Sequence, residues 1–167
     1  MISYKQAIEI IQSSIKPLQT GKSDVHSGYG VLAEDLFATS EIPEFSNSAM
    51  DGFALISSET AEASESKLIE LEIIGTIFAG ESPPETRLPF STYEIMTGAV
   101  VPKGFDSVVP VEQVTTIERD GKKFLVITDK VSNGRNVRLA GEDFKAGDVI
   151  LEKGNTIEPH VMMSAIA

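Results

Sequence analysis

Between Lys67 and Ile157 the chain offers short β-prone runs separated by Gly and Pro, and this constrains its fold more than any other feature. Leu68–Ile77, Ser107–Thr116 and Lys123–Thr128 are rich in the β-branched and aromatic residues that favour strands. Asp120-Gly121 lies between two such runs and predicts a hairpin, because a primed turn needs the positive φ that glycine adopts without strain. Lys153-Gly154-Asn155, between Val149–Leu151 and Thr156–Ile157, predicts a second. Closely spaced turns leave no room for helical crossovers, so the pattern favours a small β-barrel or sandwich over a parallel α/β sheet.

The ends of the chain differ from this middle. Ser3 and Gln6 form a capping box, and Tyr4, Ala7, Ile8, Ile11 and Ile15 share one helical stripe up to Pro17. An amphipathic N-terminal helix is expected, packed on its own domain or, alternatively, on a further domain or second subunit. Val31–Phe37 reads equally as a short helix or a strand edge, and Ser57–Lys67 as a solvated loop or short exposed helix. Pro159–Ala167 opens like a helix with proline in its first turn and stops without a cap, which suggests a piece of a longer protein.

Composition narrows the function. Fourteen Lys and Arg against 25 Asp and Glu give a net charge of -11, which opposes nucleic acid and anionic membrane as partners. The chain has no cysteine and only two histidines, His26 and His160, so a standard zinc site is not expected. No apolar run approaches the ~20 residues of a membrane span, and the start is not that of a secretory signal, so the cytoplasm is the expected location.

Three segments can carry chemistry. In the first, Ser46–Ala54, Asp51 stands beside Gly52 at the start of an alternating apolar run. Its carboxylate can bond local turn amides, which local chemistry favours, or ligate a hard cation such as Mg²⁺, or act as a base. In the second, Glu94–Gly104, Thr97 offers a donor and acceptor where a strand meets a Thr-Gly turn. The order of a phosphate-binding P-loop is missing there. The third, Gly134–Asp143, concentrates Arg135, Arg138, Glu142 and Asp143, suited either to binding an oxyanion or to a surface ion-pair group.

In order and spacing, Asn47–Ala54, then Ile95–Ala99 with Pro102 and Gly104, then Asn136-Val137-Arg138 with Gly141-Glu142-Asp143, resemble the molybdopterin molybdenumtransferases, a family that includes the enzymatic domain of gephyrin. The resemblance covers nearly the whole chain but only the N-terminal part of a family member, whose α/β cofactor-binding and C-terminal β domains would be absent. It implies a mainly β fold with some α. Residues 1–18 would form the helix, 19–39 and 146–167 a connecting β-rich module, and 40–145 a small β-barrel domain. The implied reaction joins adenylylated molybdopterin and molybdate to give molybdenum cofactor and AMP, assisted by Mg²⁺, in a homodimer able to meet other cofactor-synthesis proteins. The fragment alone would be inactive. Asp51 and Thr97 would be the catalytic residues, Asn47, Ser48, Arg138 and Asp143 would bind substrate, and Asp51 is the candidate Mg²⁺ ligand. The alternative is a non-catalytic β module for dimerisation or docking. Two positions depart from the family pattern: Phe53 replaces a tyrosine, and Glu94 stands where many relatives carry arginine.

Overall fold

The computed structural model describes residues 2–16, 18–24 and 30–158. Both histidines and the expected C-terminal helix lie outside these residues. Among the described residues the fold is mainly β with one α-helix, and the chain divides into two compact units, residues 1–37 with 149–167, and Ala38–Asp148.

In the first unit, helix α1 spans Tyr4–Ser14 and begins with the expected capping box: the Gln6 amide donates to Ser3 Oγ at 3.3 Å and the Ser3 amide to Gln6 Oε1 at 2.9 Å. No residue of α1 is buried, and Tyr4, Ile10, Ile11 and Ile15 stay exposed. Of the expected apolar stripe, Ala7 and Ile8 are half-buried while Tyr4, Ile11 and Ile15 are exposed, so its packing is only partial among the described residues. The ambiguous Val31–Phe37 segment resolves as strand edges, β1 (Gly30–Val31) and β2 (Leu36–Phe37).

The second unit holds strands β3 (Asn47–Ser48), β4 (Gly52–Leu55), β5 (Ile69–Ile77), β6 (Ser91–Ile95), β7 (Ser107–Pro110), β8 (Thr115–Arg119), β9 (Lys122–Ile127) and β10 (Val137–Arg138). Back in the first unit, β11 (Val149–Leu151) pairs with β2 and β12 (Thr156–Ile157) with β1. The hairpin expected at Lys153-Gly154-Asn155 thus does not form, although the turn itself does. Its backbone is claimed by a distant turn instead. Leu32 N–H donates to the Asn155 carbonyl, Gly154 N–H to the Leu32 carbonyl, and Lys153 N–H to Asp35 Oδ1. The Asp120-Gly121 hairpin does form: both residues have positive φ, 52° and 72°, and Arg119 faces Lys122 across it.

Six strands of the second unit make one sheet in the order β7-β4-β6-β5-β9-β8. All its pairings are antiparallel except β5–β6, whose connection through residues 78–90 contains no helix. The expected closed barrel is not present among the described pairings, because β7 and β8 remain edges. The outer edge of β7 is met by a loop rather than a strand: Val108 N–H donates to the Arg135 carbonyl at 2.8 Å, and Asn136 Nδ2 to the Val108 carbonyl at 2.9 Å. The opposite edge, β8, is mostly exposed and carries Glu118 and Arg119, charges that discourage edge-to-edge pairing. The Ser107–Thr116 run, one β-prone stretch in the sequence, is split by a 3₁₀ turn at Val111–Gln113 just after Pro110, which has no amide to donate to a ladder.

Every residue of β4 is buried, because the sheet is covered on both faces. Ala54 joins Ile77, Tyr93, Ile95, Phe105 and Val108 in one cluster, while Phe53 and Leu55 join Leu71, Val109, Leu125 and Ile127 in the other. This double anchoring fixes the strand that Asp51 immediately precedes. Gly52 is required by contact rather than by φ: a Cβ there would lie 2.1 Å from the Val109 carbonyl oxygen of β7.

Candidate functional site

The three sequence segments with chemical potential are interlocked by backbone hydrogen bonds. Strand β3 is their junction. It pairs with β10, so that Asn47 faces Arg138 and Ser48 faces Val137, and Asn47 also bridges to Val100. Ser48 N–H donates to the Ala99 carbonyl at 3.0 Å, Gly98 N–H returns to the Ser48 carbonyl at 2.8 Å, and Ala49 N–H reaches the Asn136 carbonyl at 3.0 Å. Residues separated by up to 94 positions in sequence therefore share one small β framework.

Asp51 and Thr97 meet directly. Asp51 Oδ1 accepts the Thr97 amide at 2.7 Å and the Thr97 hydroxyl at 2.6 Å. Both residues are exposed, and the two donors, the hydroxyl first and the amide second, hold the Asp51 carboxyl below the usual aspartate range. Asp51 is thus an ionised carboxylate with one oxygen engaged and Oδ2 accepting no hydrogen bond among the described residues. Thr97 owes its place to the turn after β6, where Gly98 takes a φ of 80° and Ala99 N–H closes on the Met96 carbonyl. A hydroxyl carries one proton. Since Thr97 gives its proton to Asp51, its chemical role in this arrangement is to orient the carboxylate.

Arg138 and Asp143 also meet, as an exposed ion pair. The loop between them is held from both sides: Leu139 N–H donates to Glu142 Oε2 at 2.9 Å, Ala140 N–H to Ser46 Oγ at 3.1 Å and Asp143 N–H to the Ile42 carbonyl at 3.0 Å. One bond to Asp143 leaves most of the five guanidinium donors of Arg138 for an anion, although the pair as a whole is neutral. Asn47 is half-buried, with its amide nitrogen on the Phe45 carbonyl. Ser48 is different, being buried with its hydroxyl on the backbone of Met50.

Phe53, one of the two departures, is buried in the core, where a phenyl ring needs no polar partner for a hydroxyl. Glu94, the other, lies opposite Phe53 in β4 and Thr76 in β5 and accepts the Thr76 hydroxyl at 3.1 Å. Its partner is thus a neutral group of the neighbouring strand.

Sequence reasoning missed Asp106. Its carboxylate accepts hydrogen bonds from the Ser57 amide and hydroxyl and from Asn133 Nδ2, shares the Ser107 hydroxyl with the Ser132 carbonyl, and ties the start of β7 to two loops. An isolated Asp before a strand carries no signal of partners so distant. Thr60, in the segment read as solvated, is likewise buried and bonded by its hydroxyl to the Ser57 carbonyl and the Val131 amide.

Among the described residues no group of three or more His, Cys, Asp or Glu gathers as a metal cage. The free oxygen of Asp51 does suit Mg²⁺, which commonly takes one or two carboxylates, several waters and the phosphates of a substrate. Two surface clefts, of about 380 and 390 Å³, are lined without Asp51 or Thr97, both of which are exposed. No helix among the described residues is long and apolar enough to cross a membrane.

Residues 2–167 match the family described as MoeA N-terminal region (domain I and II). A molybdopterin molybdenumtransferase from Synechococcus elongatus is 36% identical over 171 residues, covering 100% of this chain and 41% of the relative. One from Bacillus subtilis is 39% identical over 130 residues, covering 78% of the chain and 30% of the relative. The crystal structure of the molybdopterin biosynthesis MoeA protein from Pyrococcus horikoshii superimposes with a TM-score of 0.88 at 31% identity, over 98% of this chain and 43% of that one. The chain therefore spans about two fifths or less of the length of these curated relatives.

Proposed function

The chain belongs to the MoeA family through its N-terminal region, and on that premise we propose that it supplies one wall of the active site of a molybdopterin molybdenumtransferase. The reaction would consume adenylylated molybdopterin and molybdate and release molybdenum cofactor and AMP. Alone, this chain would not turn over. The observation that carries the reading is the Asp51–Thr97 contact: an oriented, ionised and exposed carboxylate.

Each residue has a role consistent with its partners. Asp51 Oδ2 would hold Mg²⁺ or a water beside the substrate phosphates, and a bound Mg²⁺ would neutralise charge developing on the phosphate oxygens. Thr97 keeps the carboxylate aimed and ionised. Arg138, steadied by Asp143, would offset substrate charge, with Asn47 directly across the β3–β10 ladder offering an amide to the same face. Glu94 adds a negative charge near this face, and its bond to Thr76 turns one oxygen toward the sheet.

The opposite wall would come from an α/β domain of a partner subunit, so the working protein would be a cytoplasmic homodimer, open to contact with other cofactor-synthesis proteins. A second reading, a non-catalytic dimerisation or docking module, draws on α1, whose Tyr4, Ile10 and Ile11 are exposed. Turnover by the full-length protein carrying Asp51→Asn separates the two: loss supports the enzyme reading, and retention removes Asp51 from the mechanism.

A further inference from the structure

The loop that presents Asp51 is braced from inside. Ser48 is 1% exposed, and its hydroxyl donates to the Met50 carbonyl at 2.6 Å while the Met50 amide points back at it from 3.3 Å. One side chain thereby satisfies both polar backbone groups of the residue next to Asp51. The main chain of Ser48 reaches the other half of the site, through its bonds to Gly98 and Ala99 beside Thr97. Its cross-strand partner, Val137, precedes Arg138.

We propose that Ser48 is the positioning residue of this site: its buried hydroxyl fixes Met50, its backbone fixes the Thr97 turn, and together they hold Asp51 Oδ1 on Thr97. This rests on reading Asp51 and Thr97 as site residues, and it moves Ser48 from substrate contact to the support of the groups that make that contact. The only hydroxyl proton of Ser48 goes to the Met50 carbonyl, and its burial keeps the oxygen, which already accepts the Met50 amide, away from the surface where a ligand would sit. Placement matters because a misplacement of about 1 Å in a catalytic group can cost about a hundredfold in rate.

The two halves of the brace can be separated in the 167-residue chain by nuclear magnetic resonance. In the wild-type protein the Thr97 amide nitrogen should show scalar coupling across its hydrogen bond to the Asp51 side-chain carboxyl carbon, and the amide proton should exchange slowly. Ser48→Ala deletes the hydroxyl but leaves both backbone bonds available. The coupling is expected to disappear and Thr97 amide exchange to quicken about tenfold, while the Gly98 amide, bonded to the Ser48 carbonyl, keeps its protection. Ser48→Cys, with its weak S–H donor, should fall between, and it carries the same comparison if Ser48→Ala does not fold. Equal loss of protection at Thr97 and Gly98 would overturn the proposal, since Ser48 would then merely hold the fold. Unchanged coupling and exchange at Thr97 would overturn it too. These signals need no turnover, so their failure is distinct from a failure of the enzyme reading, which the activity of Asp51→Asn decides.

Discussion

A single carboxylate oxygen of Asp51 receives both the amide and the hydroxyl of Thr97, at 2.7 and 2.6 Å, across 46 positions of sequence. The donors favour the charged form, so the folded protein holds this group below the usual aspartate range. A depressed folded-state value contributes stability above the unfolded-state aspartate range, and this contribution is lost as pH falls through the folded value. Thr97→Val removes the larger of the two causes and keeps the amide. Its expected effect is an upward shift of the Asp51 carboxyl titration toward the ordinary aspartate range, followed by carbon-detected resonance over acidic pH. An unshifted titration would show that the hydroxyl does not bear on the carboxylate.

Gly52 tests the framework behind that contact. A Cβ placed 2.1 Å from the Val109 carbonyl oxygen cannot be relieved by a rotamer change, since the obstacle is backbone in β7. Gly52→Ala is expected to lower the unfolding free energy by about 2–3 kcal/mol, measured by chemical denaturation. A change within about 0.5 kcal/mol would mean that β4 and β7 separate more easily than their four-residue register suggests.

Asp106 makes a contrasting case for side-chain bonds. Asp106→Ala strands the amide and hydroxyl of Ser57 at a partly buried position and should cost about 1–3 kcal/mol, while the Ser107 hydroxyl keeps the Ser132 carbonyl and the exposed Asn133 amide turns to water. Glu62→Ala, which breaks an ion pair to Lys67 between two exposed side chains, should leave the denaturation midpoint nearly unchanged. Comparable effects from the two variants would contradict this ranking.

Much of this was legible in the sequence where the signal is local. The capping box of α1 and the Asp120-Gly121 hairpin depend on residues a few positions apart, and both are present. The family pattern marked the segments that β3, β10 and the Thr97 turn bring together. What escaped was set by distant partners. Strands β11 and β12 pair with β2 and β1 rather than with each other, because the turn between them bonds to Leu32 and Asp35. The open edge of β7, closed by Arg135 and Asn136, depends on a loop whose conformation no periodicity announces. Ser48 looks in sequence like any polar residue of a binding loop, and only its burial shows that its hydroxyl faces inward.

As proposed, Asp51, aimed by Thr97, takes part in the chemistry of molybdate insertion. The most direct measurement is formation of molybdenum cofactor from adenylylated molybdopterin and molybdate by the full-length protein with Asp51→Asn, alongside the thermal unfolding of the same variant. The substitution keeps the side chain's shape and its acceptor toward Thr97 but removes the charge, so AMP release and molybdenum incorporation should fall at least about a hundredfold with unfolding little changed. Turnover at the wild-type rate by a folded Asp51→Asn protein would remove the Asp51 carboxylate from that chemistry.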